Sequence, residues 1–292
     1  MTVIATSHVL VTGGASGLGR GVALRCAEVG ASVTILDLDA GGAERAAAEA
    51  AALGAAQALG LPCDVSDRGQ VAAVAERVLA ERGPVDILVN NAGVVGGKLL
   101  LDLSDEQIER TCGVNQMALF WVTRAFLPAM VARDSGHVVN VASAAGLIGT
   151  PKETDYAASK FAAVGFTEAL HFELRRVAPH VRTTVVTPFY IDTGMFEGVK
   201  TKVPLLLPIL READVVDAIV DAIRRDRGKV ELPFMVRTLP AMRLLPGWAF
   251  DRLADVFGVT SNMDGFTGRR NESPADKRAD ESAARTHARS AG

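Results

Sequence analysis

"VTGGASGLG", Val11 to Gly19, closes an apolar run, "HVLVT", and opens a helical pattern, "GLGRGVALRCA". Its reading decides the fold. Gly13, Gly17 and Gly19, with Ser16 and Leu18 between them, allow a tight turn and a close backbone approach to a bound group. Amides at a helix start, reinforced by the helix dipole, favour a pyrophosphate there. A glycine-rich turn alone says little, but one placed between a strand and a helix reads as a dinucleotide-binding turn. Asp37 ends the next apolar run, in "ILDLD". A carboxylate at that distance accepts from the adenosine ribose hydroxyls and repels a 2′-phosphate. No basic residue follows directly, and Ser16 holds the loop position where a phosphate-binding cation would stand. The expected cofactor is therefore NAD(H), not NADP(H).

Outward from this turn, short β-rich runs alternate with helical stretches. "SVTIL", "AQALGLPCDV", "VDILVN", "HVVNVAS" and "VRTTVVTP" read as further strands, and "KVELP" as an added one. Runs apolar on both faces fit parallel strands covered on each side by helices. The helices are expected near residues 17–29, 40–53, 70–82, 105–133, 155–178 and 213–225. The pattern implies an α/β chain, a doubly wound parallel sheet of about seven strands with helices on both faces. After Pro188 the periodicity fails, so residues 188–211 read as a loop over a cleft. Residues 237–259 form two short amphipathic pieces. Residues 268–292 hold little to bury and read as a solvated tail, leaving one folded unit over residues 1–267.

The chain has 292 residues, 49% of them apolar, and a formal net charge of −3. Its scattered basic residues point away from nucleic-acid binding. Cys26, Cys63 and Cys112 stand far apart without metal-ligand spacing, and read as free thiols of a reducing compartment. The histidines show no metal-ligand spacing either. The first residues carry no basic segment followed by a long apolar one, so a cytoplasmic chain without a membrane span is expected. Trp248 and Phe250 read as a pocket wall or subunit contact, ahead of a membrane-surface patch.

A lysine four residues after one of the two tyrosines, in "YAASK", shares a helix face with it. With the glycine turn, "NNAG" and "YAASK" in this order, the chain resembles the short-chain dehydrogenase/reductase family from about His8 to Met195. "TGGASGLG" is similar to the family's Thr-Gly-x3-Gly-x-Gly, and "NNAG" supplies Asn90, Asn91, Ala92 and Gly93. "CDV" supplies Asp64 and Val65, "GVNQMALF" Asn115, and "VASAAG" Ser143. The resemblance implies a single-domain Rossmann fold and a catalytic set of Asn115, Ser143, Tyr156 and Lys160. It also implies cofactor contacts from Asp64, Val65, Asn91, Ala92, Gly93, Pro188, Ile191 and Thr193. Phe189 departs from the pattern, which commonly has Gly after the Pro, and so reshapes the substrate pocket together with Met195 and Phe196. "TGMFEG" and the apolar C-terminal pieces resemble the branch containing retinol and 17-beta-hydroxysteroid dehydrogenases.

Each residue type has a chemical reason. Tyr156 exchanges a proton with the substrate oxygen. Lys160 lowers the phenol's pKa and holds the ribose, and Ser143 donates to the same oxygen. The resemblance implies that Asn115 holds a water that links Lys160 to solvent. The expected activity interconverts an alcohol with a ketone or aldehyde on a lipophilic substrate, retinoid, steroid, terpenoid or long-chain, by a homodimer or homotetramer. A 3-oxoacyl thioester reductase is the rival enzyme, and Asp37 argues against it. A non-catalytic nucleotide-binding scaffold is the other rival, and the intact catalytic set argues against that.

Overall fold

The computed structural model describes residues 1–268; the tail expected beyond them lies outside the described residues. Among the described residues seven strands form one sheet in the order β3-β2-β1-β4-β5-β6-β7. They are β1 (His8–Thr12), β2 (Ser32–Asp37), β3 (Ala58–Pro62), β4 (Ile87–Asn90), β5 (Gly136–Val141), β6 (Val181–Pro188) and β7 (Lys229–Leu232). Every neighbouring pair is parallel. "KVELP" does add the outer strand. The third strand stops at Pro62, short of the expected "CDV", because Asp64 turns the chain by accepting from the Ser66 amide and hydroxyl.

Strand alternation divides the core into two layers. Val9, Val11, Val33 and Ile35 point to one face and pack against α1 (Gly17–Ala27), α2 (Ala40–Ala52) and α7 (Glu212–Arg224). Leu10, Leu36, Leu88 and Val138 point to the other. There they meet α3 (Arg68–Arg82), α5 (Ala118–Ala132) and α6 (Thr154–Val177). With both faces covered, the strands carry apolar residues on both of them.

The long helix expected over residues 105–133 is broken. It consists of α4 (Asp105–Cys112), a π-helical turn (Gly113–Met117) and α5. The widened turn holds Asn115, whose amide is drawn out to the backbone of Val94: Oδ1 accepts from Val94 N at 2.8 Å and Nδ2 donates to Val94 O at 2.9 Å. Such an insertion into the helical ladder is a physical cause of the break.

Residues 189–211 are irregular, with Pro188 still in β6, and their ends are drawn together where Leu210 N donates to Tyr190 O at 2.8 Å. The C-terminal pieces, α8 (Leu239–Met242) and α9 (Gly247–Phe257), dock on the body. Arg243 Nε donates to Leu147 O at 2.9 Å, and its guanidinium lies 5.0 Å from the Phe161 ring centre. Farther on, Gly198 lets the chain pass against Gly265, where an added Cβ would stand 2.0 Å from the Gly265 carbonyl oxygen. Among the described residues no helix is long and apolar enough to cross a membrane.

Candidate active site

The strand order reverses between β1 and β4, and the carboxyl ends of strands at such a point leave a crevice. A cleft of 390 Å³ occupies it. Gly13, Ser16, Gly17 and Leu18 form one wall, and Asp37 follows from the end of β2. Asp64 and Val65 continue it, and Asn91, Ala92 and Gly93 floor it after β4. Ser143, Tyr156 and Lys160 stand in the middle. Pro188, Phe189, Ile191, Thr193, Met195 and Phe196 close the far end. One cleft thus collects sequence-separated residues expected to hold a cofactor and to act on a substrate.

Two expected residues lie behind the lining. Gly19 packs against the floor: an added Cβ would sit 2.3 Å from Asn91 Nδ2 and 2.4 Å from Gly13 O. Asn91 Nδ2 in turn donates to Thr12 O and Gly13 O, both at 3.0 Å, so the glycine turn and β4 hold each other. Asn115 is buried, and beyond Val94 its Nδ2 donates to Ser159 Oγ at 3.0 Å. Both ends of its amide are engaged with protein, bracing the segment after β4 against α6.

The cleft suits a dinucleotide. Gly13 and Gly17 adopt φ of +63° and +53°, the left-handed region where a side chain would be strained. Gly13 has a further reason, since an added Cβ would meet Ala92 Cα at 2.8 Å. Asp37 Oδ2 accepts from Ala15 N at 2.9 Å and Oδ1 from Asp39 N at 3.0 Å, which aims the carboxylate beside the turn. A carboxylate oxygen has further lone-pair capacity for ribose hydroxyls.

Tyr156 and Lys160 are both 4% exposed on α6. Burial pushes the Tyr156 phenol up, the Glu153 carboxyl adds to that, and Ser143 opposes it through a hydrogen bond. Burial also brings the Lys160 ammonium down to about 8. The protein by itself does not give the lowered phenol expected from the Tyr-Lys spacing. Lys160 Nζ lies 5.6 Å from the Tyr156 ring centre and donates to Val141 O at 2.9 Å. Desolvation of the phenolate outweighs the cation at that separation.

Three residues carry no signal in the motifs. Arg110, from α4, lines the cleft near Asp64; burial lowers its pKa and Asp64 raises it. Glu153, 1% exposed at the start of α6, accepts from Thr150 Oγ1 and is linked to Tyr190. Burial raises it to about 7. Tyr190 sits edge-on to Phe196, ring centres 5.0 Å apart, and Phe196 edge-on to Tyr156 at 5.7 Å. An acid ahead of a helix is too common in sequence to single out Glu153. Trp248 is 70% exposed and does not line the cleft, whereas Phe250 packs against Ile148, Ala254 and Val259. Among the described residues no group of His, Cys, Asp and Glu is arranged to hold a metal ion.

Residues 7–204 match the family model described as short chain dehydrogenase. Epidermal retinol dehydrogenase 2 of Mus musculus is 42% identical over 271 residues, covering 92% of this chain and 88% of that protein. A short chain dehydrogenase/reductase from Burkholderia phymatum, solved in complex with NAD, superposes with a TM-score of 0.75 at 29% identity. That match covers 84% of this chain and 95% of the other. A metagenomic short-chain oxidoreductase in complex with NADP reaches a TM-score of 0.65 at 28% identity, over 78% of this chain and 96% of the other. Matching motifs, sheet order and sequence together place this chain in the short-chain dehydrogenase family.

Proposed function

We propose that this oxidoreductase uses NAD(H) to interconvert an alcohol with a ketone or aldehyde on a lipophilic substrate. The observation that carries the reading is the single cleft in which Ser143, Tyr156 and Lys160 stand between the glycine turn and an apolar end formed by Phe189, Met195 and Phe196. The similar mouse protein's name, a retinol dehydrogenase, supports an apolar alcohol as the substrate class.

Gly13, Ser16, Gly17 and Leu18 would hold the pyrophosphate, Asp37 the adenosine ribose, and Asp64 with Val65 the adenine. Asn91, Ala92 and Gly93 would line the central part, with Pro188, Ile191 and Thr193 around the carboxamide. When bound, the nicotinamide supplies the hydride acceptor or donor. Asp37 supports NAD(H), because its fixed carboxylate would face a 2′-phosphate with like charge. Arg110 does not reverse this, since its field is met by Asp64.

Tyr156 takes the proton from the substrate hydroxyl in oxidation and returns it to the carbonyl oxygen in reduction. Ser143 bonds the phenol and is placed to donate to the same substrate oxygen as charge develops. Lys160, fixed by Val141 O, keeps a cation within reach of both phenol and ribose. Asn115 holds the backbone at Val94 and the Ser159 hydroxyl, so its share is to position the floor and α6.

The test is initial-rate kinetics with NAD+ and NADP+ on a panel of short, long-chain, isoprenoid and steroid alcohols. Turnover of apolar alcohols with NAD+ is the expected outcome. Activity confined to thioester-linked 3-hydroxyacyl substrates with NADP+, or no turnover at all, would overturn the proposal.

A further inference from the structure

A second cavity, of 50 Å³, lies beyond Phe189. Its lining includes Ala144, Ile148, Phe189, Met242, Phe250 and Ala254, drawn from the β5 loop, the end of β6, α8 and α9. The one hydroxyl on the wall belongs to Thr238, and it is spent: Oγ1 donates to Met235 O at 2.7 Å and reaches Met242 Sδ at 3.6 Å. A water needs only about 10–15 Å³ but also two to four polar partners. The cavity has the room and lacks the partners, so it favours apolar occupancy.

Its position relates it to the chemistry. Ala144 directly follows Ser143, so the chamber begins one residue beyond the hydroxyl aimed at the substrate oxygen. Phe189 lines both the cleft and the chamber, and is the residue they share. It is held in place: Phe189 N donates to Leu232 O at 2.7 Å, and its ring meets Tyr190 edge-on with centres 4.6 Å apart. A glycine here, as the family pattern commonly has, would leave no ring between the two spaces.

We infer that the chamber receives, past the Phe189 ring that lines both spaces, the terminal carbons of an unbranched or isoprenoid substrate tail, and that the size of the chamber sets the tail length. This rests on the proposed alcohol chemistry for the position of the oxygen, while the chamber itself is a property of the fold. Leu244, 87% exposed, and Trp248, 70% exposed, do not line the chamber.

The experiment compares wild type, Ala254→Phe, which fills the chamber from α9, and Leu207→Ala, which enlarges it from the loop before α7. Rates with NAD+ are measured for straight-chain primary alcohols of increasing length. In parallel, calorimetry measures binding of the matching n-alkyl amides, which do not react. For wild type, affinity and kcat/KM should rise about fourfold for each methylene that enters, then level off. Ala254→Phe should level off at shorter chains and Leu207→Ala at longer ones. If no alcohol turns over but amide binding shows these shifts, the chamber stands and the proposed chemistry falls. If Ala254→Phe does not fold, the Leu207→Ala shift decides. Length profiles that coincide in wild type and the folded variants, in both measurements, would overturn the inference.

Discussion

The buried carboxyl of Glu153 stands one helical turn ahead of Tyr156 and raises the phenol's pKa from behind the cleft. Glu153 is itself faced by Thr150, Asp155 and Tyr190, with pKa about 7, and among the described residues its Oε1 has no hydrogen-bond partner. Neither buried oxygen of Asp155 has one either. The phenol proposed to perform the chemistry is thus backed by acid groups, while the neighbouring Lys160 ammonium is bonded to Val141 O.

Replacing Glu153 by Gln removes the charge and keeps the shape. Because the carboxylate pushes the phenol up, the rising limb of the pH profile for alcohol oxidation should move to lower pH in Glu153→Gln. The measurement is kcat against pH for both proteins. Coincident limbs would show that Glu153 does not act on Tyr156.

The same residue sets a pH dependence of stability. Its pKa rises from 4.5 unfolded to about 7 folded, so the native state binds the extra proton between these values. Stability from this group is fully present below about pH 4.5 and is lost as pH rises through about 7, a loss of ~3 kcal/mol at most. Urea unfolding from pH 4.5 to 8 should show that decline in wild type, superposed on the other groups, and a flatter curve in Glu153→Gln.

Cofactor choice should follow Asp37. Wild type is expected to favour NAD+ over NADP+ by at least about tenfold in kcat/KM, equivalent to ~1.4 kcal/mol. Asp37→Asn removes the charge but keeps an acceptor for only one of the Ala15 and Asp39 amides, which bond different carboxylate oxygens, so it should narrow the gap and loosen the turn as well. Equal use of both cofactors by wild type would refute the assignment.

Tyr156→Phe should abolish turnover and leave NADH binding almost intact, since one hydroxyl is lost and the packed ring remains. Lys160→Ala should weaken NADH binding as well, because the ammonium is placed to serve phenol and ribose together. Fluorescence titration of NADH alongside steady-state rates separates the two effects. Near-wild-type turnover by Tyr156→Phe would remove Tyr156 from the mechanism.

Asn115→Ala should cost stability as well as rate. It strips the half-buried Val94 amide and carbonyl of their partners, at ~1–3 kcal/mol in urea unfolding. A loss of rate with stability unchanged would instead make Asn115 a member of the proton path alone.

Much of this protein is written in local patterns. Apolar runs such as "HVLVT" mark strands because both faces of a parallel sheet are covered, and the glycine turn marks the first strand-helix junction because its geometry admits few other residues. Tyr156 and Lys160 share a face through helix periodicity alone. Features set by near neighbours in the chain are legible in the sequence. The break in the helix at Asn115 is not, because its cause is the backbone of Val94 on another element. The raised phenol is not either, since spacing shows the lysine beside it but not the burial and the Glu153 carboxyl that prevail. Arg110 enters the cleft, Trp248 turns outward and Phe189 comes to line two cavities only once distant segments pack. Burial and long-range contact are properties of the folded chain, and they set the electrostatics and the shape of the site where the local pattern supplies only its parts.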